Sequence, residues 1–445
     1  MTLLRPDLPR TVEDVQKSNN KNSLSSFFPI RTKDRAGAFD WDSVLGHVVK
    51  TSYRKDLGKG GIDEFKQRCK QAFLSKLDEE DFWPIVEDMY FETEEVYKIA
   101  PEFLLFKAQK TTGSTPNARL GSMFSSLLQD FFFSDKPSIQ LNFIEDELYK
   151  EFNDYLVSAK SKNTVVKTAN EAPYLPFLAE HFQQDLSFLG KRPKYLLSVF
   201  KDFLRLYTFL YTSQLAINIK DWRAGEPKAK PTYFILDNEK ASDERTKVHE
   251  FGYKPMKSAL WSIFPYLAMN EGLQIHKAKV QPIWKVAQSV SETPSTAVWL
   301  NDYAKVFQEQ RELKFNLLEA DEPLVGLENL LKLSEKQFSR GESRHEINVQ
   351  YVRTIESELC EHFIQSRGRA GRVLVFNQDY LVLLTNLAIG ELDRLRFNEL
   401  IKAFESRGVF FDKQSQQVLI EFYERIGNVE RMSDSGDAVY VNKTI

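Results

Sequence analysis

Across residues 195–217 the polar positions Ser198, Lys201, Asp202, Arg205 and Thr208 recur at spacings of three and four. Most positions between them are Leu, Phe, Tyr or Ile. The pattern predicts a helix with one narrow polar stripe, buried on most sides, at the centre of a helical domain. Helical periodicity also marks residues 62–74, 82–91, 144–157, 257–271, 302–318, 324–338 and 347–365. A loop is expected at 111–121, where Gly113, Pro116 and Gly121 cluster, and another at 224–231. The β-prone run 233–236 that follows reads as a short strand, and the charged stretch 237–250 as solvated. No internal repeat is present. The fold class expected is mainly α.

The last seventy or so residues carry the most specific pattern, that of a winged helix. Tyr380, Leu383, Leu384 and Leu387 mark an apolar helix over 379–389. A short β-like link at 395–397 follows. Asn398 is the expected N-cap of a helix over 399–406, with Leu400, Ile401 and Phe404 facing in. Gly408 stands at a C-cap position, and 409–411 is read as the turn. Asp412 caps a third helix, 413–426, with Val418, Leu419, Phe422 and Ile426 inward, ended by Gly427. Residues 429–432 and 438–441 then form a hairpin around the Asp- and Gly-containing turn 433–437.

These patterns divide the chain into a flexible segment 1–26, a helical domain 27–223, a second mostly helical region 224–366 with a strand near 233–236, and the winged-helix domain 367–445. The chain has 445 residues, with 42% apolar and 28% charged types, enough to bury a large core. Sixty Lys and Arg against 63 Asp and Glu give a net charge of −3, which excludes a protein that coats nucleic acid by bulk charge. The 34 Phe residues supply many bulky anchors for a core or an interface. Two distant cysteines, Cys69 and Cys360, exclude a disulfide framework or a Cys-based zinc site. Residues 1–10 lack a secretory core, and Lys201, Asp202 and Arg205 interrupt the most apolar run, so a cytoplasmic protein outside the membrane is expected.

Chemistry is sparse. In Leu57-Gly-Lys-Gly-Gly61 a phosphate-binding loop would need Gly where Tyr53 stands and Ser or Thr where Gly60 stands. His47, His181, His249, His276, His345 and His362 show no firm metal-ligand spacing. Asp237 and Glu239, with Lys240, follow the strand and are the candidate ligands of a Mg²⁺-dependent nuclease, although the spacing departs from the Glu-x-Lys pattern. No catalytic residue, metal ligand or cofactor is assigned. For DNA, the third winged-helix helix would offer Lys413, Gln414 and Gln417 to base edges, with Arg425, Arg431 and Lys443 on phosphates. Arg367, Arg369 and Arg372, bracketing two glycines, are the best further phosphate contacts. Smaller basic groups stand at Lys160, Lys162 and Lys167 and at Lys191, Arg192 and Lys194. Against DNA reading, residues 351–445 hold 12 Lys and Arg and 14 Asp and Glu, a net of −2, and Glu421 and Glu424 share the outer helix face. Docking to another subunit is the competing role for this segment.

Two stretches together resemble one family. Phe234-Ile-Leu-Asp-Asn-Glu-Lys-Ala-Ser242 and Glu430-Arg-Met-Ser-Asp-Ser-Gly-Asp-Ala438 are similar to the acidic central motif and the C-terminal wing motif of the G component of DNA-phosphorothioation-dependent restriction systems, the DptG or DndG family. The match rests on these roughly twenty residues, with an outline similarity from about residue 30 onward. The resemblance implies a bacterial defence role, in a three-component complex that attacks DNA lacking the sulfur mark. It implies a non-catalytic adaptor or DNA-binding subunit whose partners are the F and H components, which carry the nucleotide-hydrolysis motifs, with double-stranded DNA as a further partner. The other functions expected of such a sequence are a Mg²⁺-dependent nuclease subunit using Asp237 and Glu239, and a winged-helix regulator acting alone.

Overall fold

The computed structural model describes residues 3–18, 26–57, 61–76, 82–108, 115–133, 139–158, 171–242, 244–275, 279–318, 321–432 and 438–445. The protein is mainly helical, with a four-stranded and a three-stranded sheet among the described residues. The turn 433–437, His276, and Lys160, Lys162 and Lys167 lie outside them, as does most of the 57–61 loop. No helix of the described residues is long and apolar enough to cross a membrane.

The chain forms two compact units, residues 39–169 with 183–204, and residues 1–38 with 170–182 and 205–445. The division differs from the expected segments 27–223, 224–366 and 367–445. The long helix Pro193–Asn218 begins in one unit and ends in the other. In its second half even Thr208, Thr212, Ser213 and Gln214 are buried, so the polar stripe is exposed only near the start.

The unit of residues 39–169 and 183–204 is helical and has an aromatic core. Phe65, on helix Ile62–Lys76, packs edge-on against Phe152 at 5.9 Å, and Phe103 stacks on Phe152 at 4.4 Å. Such pairs add about 0.5–1.5 kcal/mol each beyond the area they bury. The loop expected at 111–121 is helical from Pro116, the first residue of helix Pro116–Leu128. Pro116 initiates that helix because a first-turn residue needs no N–H donor, and Thr115 Oγ1 accepts from Ala118 N–H.

In the other unit the described residues 3–18, part of the segment 1–26 expected to be flexible, are packed in place. Leu4, Leu8 and Val15 are buried, and Val12–Ser18 is a helix packed on helix Thr296–Gln310. That second helix stops at Gln310 rather than running to 318, and Glu312 follows with φ 54°. The helix over 347–365 also ends early. His345–Ile355 passes through a π turn, and residues 364–366 are a strand.

Strand β1 (Thr232–Leu236) is buried at all five positions, the mark of a strand covered on both faces. It is flanked by β3 (Arg372–Phe376) and β5 (Val409–Phe411), both parallel to it, and β2 (Ile364–Ser366) pairs antiparallel with β3. Residues 409–411 are therefore a strand and not a turn, in register Thr232–Val409 and Phe234–Phe411. Residues 367–371, where a boundary was expected, are the connection of a β2–β3 hairpin, with Gly368 and Gly371 at positive φ. Segment 367–445 thus shares a sheet with β1 instead of forming a module of its own.

Within that segment, helix Gln378–Ile389 leads to β4 (Arg394–Arg396), helix Phe397–Glu405, β5, helix Lys413–Arg425, and the hairpin of β6 (Val429–Met432) and β7 (Ala438–Asn442). β7 pairs antiparallel with both β4 and β6. Asn398 is not a cap, because the second helix starts at Phe397, and Glu399 Oε2 instead accepts from Arg396 N–H at 3.3 Å. Ile426 is exposed, and Tyr423 takes its place in the core.

Gly408 ends the second helix at φ +86°, and a Cβ there would lie 2.2 Å from Gln214 Nε2. Gln214 cannot yield freely. It is fully buried, donates to Lys230 O at 2.9 Å and accepts from Lys230 N–H at 2.9 Å. Gly408→Ala is therefore expected to destabilise the protein by about 2–4 kcal/mol, read as a fall in the urea midpoint. An unchanged midpoint contradicts this.

Candidate functional site

The carboxyl ends of parallel strands are where α/β folds usually place their sites. Here β1 runs out at Leu236 and β5 at Phe411. After β1 the chain turns tightly, with Glu239 N–H donating to Leu236 O at 3.0 Å and Glu239 Oε2 accepting from Leu236 N–H at 2.7 Å. After β5, Asp412 caps helix Lys413–Arg425 by accepting from Ser415 N–H at 2.9 Å, as its sequence position predicts.

Arg245 joins the two exits. It donates to Asp412 through Nε at 2.9 Å and Nη2 at 2.5 Å, a bidentate fork. Its Nη1 donates to Glu239 Oε1 at 2.7 Å, and Nη2 also donates to Ser415 Oγ at 2.6 Å. Ser415 Oγ lies 2.8 Å from Glu239 Oε2. The side chains of Arg245 and Glu239 are 2% and 3% exposed, so the pair is fully desolvated, and Asp412 is only 14% exposed. Burial works against the Asp412 charge, yet the Arg245 fork and Ser415 N–H outweigh it and hold the carboxyl below its ordinary range. For Arg245, burial is likewise outweighed by Asp412 and Glu239, and its pKa is raised.

This arrangement bears on the candidate nuclease pair. Both oxygens of Glu239 are engaged, Oε1 by Arg245 and Oε2 by Leu236 N–H and Ser415 Oγ, and a metal would have to displace these donors to bind there. Asp237 is exposed and has a separate partner. Arg367 Nη2 donates to Asp237 O at 2.6 Å and stands 3.3 Å from its Oδ1. No group of three or more His, Cys, Asp or Glu is placed to hold a metal ion among the described residues.

The candidate DNA contacts are dispersed and largely neutralised. Lys413, Gln414 and Gln417 are exposed on the first turns of helix Lys413–Arg425, with Gln417 Nε2 3.4 Å from Glu421 Oε1. Arg425 is exposed, its guanidinium 5.6 Å from the Phe422 ring centre. Arg431 is paired with Glu424 through Nε at 3.1 Å, and Lys443 lies 3.5 Å from Asp393. In the β2–β3 hairpin, Arg369 is exposed, but Arg367 faces Asp237 and Arg372 lies 3.6 Å from Glu356. Lys257 and Tyr253 also hold Glu356.

Sequence reasoning missed Arg245 and Ser415. Arg245 sits in the stretch read as solvated, and nothing local marks a partner 167 residues away. It also missed Arg394, Arg396 and Tyr440 on the outer face of the β4–β7–β6 sheet. No protein-family model and no curated protein matches this chain.

Removing one partner of a buried ion pair leaves the other charge uncompensated. Arg245→Met is expected to cost about 3–5 kcal/mol at pH 7 in a urea titration. The Asp412 carboxyl has a lower pKa folded than unfolded, so its stabilisation is present above the unfolded value of about 4 and lost as pH falls through the folded one. The gap between wild type and variant should therefore narrow as the pH is lowered from about 7 to about 3. A gap that stays constant over that range contradicts the assignment.

Proposed function

We propose that this chain is a non-catalytic subunit of a bacterial, phosphorothioation-dependent DNA restriction complex, acting in the cytoplasm as an adaptor for the nucleotide-hydrolysing F and H components. The reading rests on the family resemblance of segments 234–242 and 430–438. The C-terminal segment is taken as a winged helix joined to the body of the protein. Its order of helix, strand, helix, strand, helix and hairpin supports that reading.

The observation that carries the adaptor role is the charge pairing just described. A DNA reader presents unpaired cations to phosphate. Here Arg367, Arg372, Arg431 and Lys443 each face a carboxylate, and the exposed end of helix Lys413–Arg425 carries one Lys followed by Gln414 and Gln417. Such a surface suits subunit docking better than sequence-specific binding. The engagement of both Glu239 oxygens likewise speaks for a structural and not a metal-binding carboxylate.

Co-expression with the F and H components tests the proposal. The chain is expected to co-elute with them as one complex. Alone, it should leave unmodified plasmid intact in Mg²⁺ or Mn²⁺. Nicking that Asp237→Ala abolishes overturns the reading in favour of the nuclease. A footprint on one defined half-site, lost on Gln414→Ala, overturns it in favour of a regulator acting alone.

A further inference from the structure

The exposed face of the three-stranded sheet carries an arginine held by a neutral side chain, unlike Arg367, Arg372, Arg431 and Lys443, which face carboxylates. Tyr440 lies directly opposite Arg396 on one side and Glu430 on the other, so these three side chains share a face, with Arg394 two residues along β4. The alternate positions Leu395, Val441 and Val429 point the other way, and Val441 is fully buried. On the outer face the charge of Arg394 is cancelled by its ion pair with Glu430. Arg396 has no ion pair among the described residues. Its Nε donates to the neutral Tyr440 hydroxyl at 2.9 Å, it is exposed, and its charged neighbour is Glu399, whose carboxylate accepts from its backbone N–H.

This geometry orients Arg396. The Nε–H bond to Tyr440 fixes the plane of the guanidinium, and the ring centre lies 5.7 Å from Cζ. Neither Nη group has a hydrogen-bond acceptor among the described residues, which leaves the fork that matches two oxygens of a phosphodiester. Base stacking on Tyr440 is disfavoured, because its ring already has the guanidiniums of Arg394 and Arg396 at 5.0 and 5.7 Å.

We propose that this sheet face, through Arg396 held by Tyr440, grips the phosphate backbone of duplex DNA without reading its sequence. The inference deepens the reading of the chain as a subunit of a DNA-acting complex. It moves the nucleic-acid contact from helix Lys413–Arg425 to the sheet.

The test is fluorescence anisotropy of the full chain with a labelled duplex, and with one strand of it, between ~50 and ~200 mM salt. Wild type is expected to bind duplexes of unrelated sequence equally, with no preference for the single strand. Arg396→Gln should weaken duplex binding roughly three- to tenfold and lower the slope of log K against log salt by about 1. Arg396→Lys, which keeps the charge and loses the fork, should recover the slope but not the full affinity. Tyr440→Phe, which keeps the ring and loses only the hydroxyl, should fall between wild type and Arg396→Gln. Thermal melts of each variant separate lost binding from lost folding. Wild-type affinity and slope in a folded Arg396→Gln variant overturn the assignment, as does a slope change confined to Lys413→Gln. Preference for the single strand overturns it in favour of stacking. No duplex binding by wild type at ~50 mM salt overturns it too. Co-elution with the F and H components would then still stand, so this failure and failure of the adaptor reading are distinguishable.

Discussion

Arg245 is the joint on which the sheet-bearing unit depends. It binds the turn after β1 through Glu239 and the start of helix Lys413–Arg425 through Asp412 and Ser415. Desolvating three charges is costly, and a well-packed apolar replacement of such a cluster is often as stable. Its value lies in geometry. A guanidinium fork accepts carboxylates only in a narrow set of orientations, so it fixes which helix leaves which strand. The parallel pairing of β1 with β5 brings the two carboxylates to the same sheet end, and the shared arginine keeps them there.

The consequences reach the surface of the segment. Helix Lys413–Arg425 is held at its first turn by a buried network and at its far end by the β6–β7 hairpin. It is a fixed part of a larger body. The near balance of charge over the whole chain is repeated locally, as exposed arginines meet carboxylates of neighbouring elements. Arg396 departs from that balance, since the side chain holding it is a neutral phenol.

How much of this was legible in the sequence follows from the range of each interaction. Capping is local, so Asp412 as N-cap and Gly408 and Gly427 as helix ends at positive φ are readable from adjacent residues. The run 233–236 reads as a strand because its residue types are β-prone along their whole length. Val409-Phe410-Phe411 is too short to declare itself. It is a strand because Thr232–Phe234 pairs with it, 177 residues earlier. Pro116 reads as a breaker because the same residue suits both a loop and a first helical turn. Leu4, Leu8 and Val15 are sparse apolar positions in a polar context, and only burial against the helices of their own unit reveals them as core. The Arg245 network has no sequence pattern at all, because it exists only after β1 and β5 have paired.

The central claim is that Arg245 and Asp412 act as one unit tying the C-terminal helix to the sheet. A double-mutant cycle with Arg245→Met and Asp412→Asn, read by urea unfolding at neutral pH, measures it directly. Asn keeps the cap and removes the charge. The account predicts a coupling energy of about 2–3 kcal/mol, with the double variant far less damaged than the sum of the single ones. Additivity to within about 0.5 kcal/mol would contradict it.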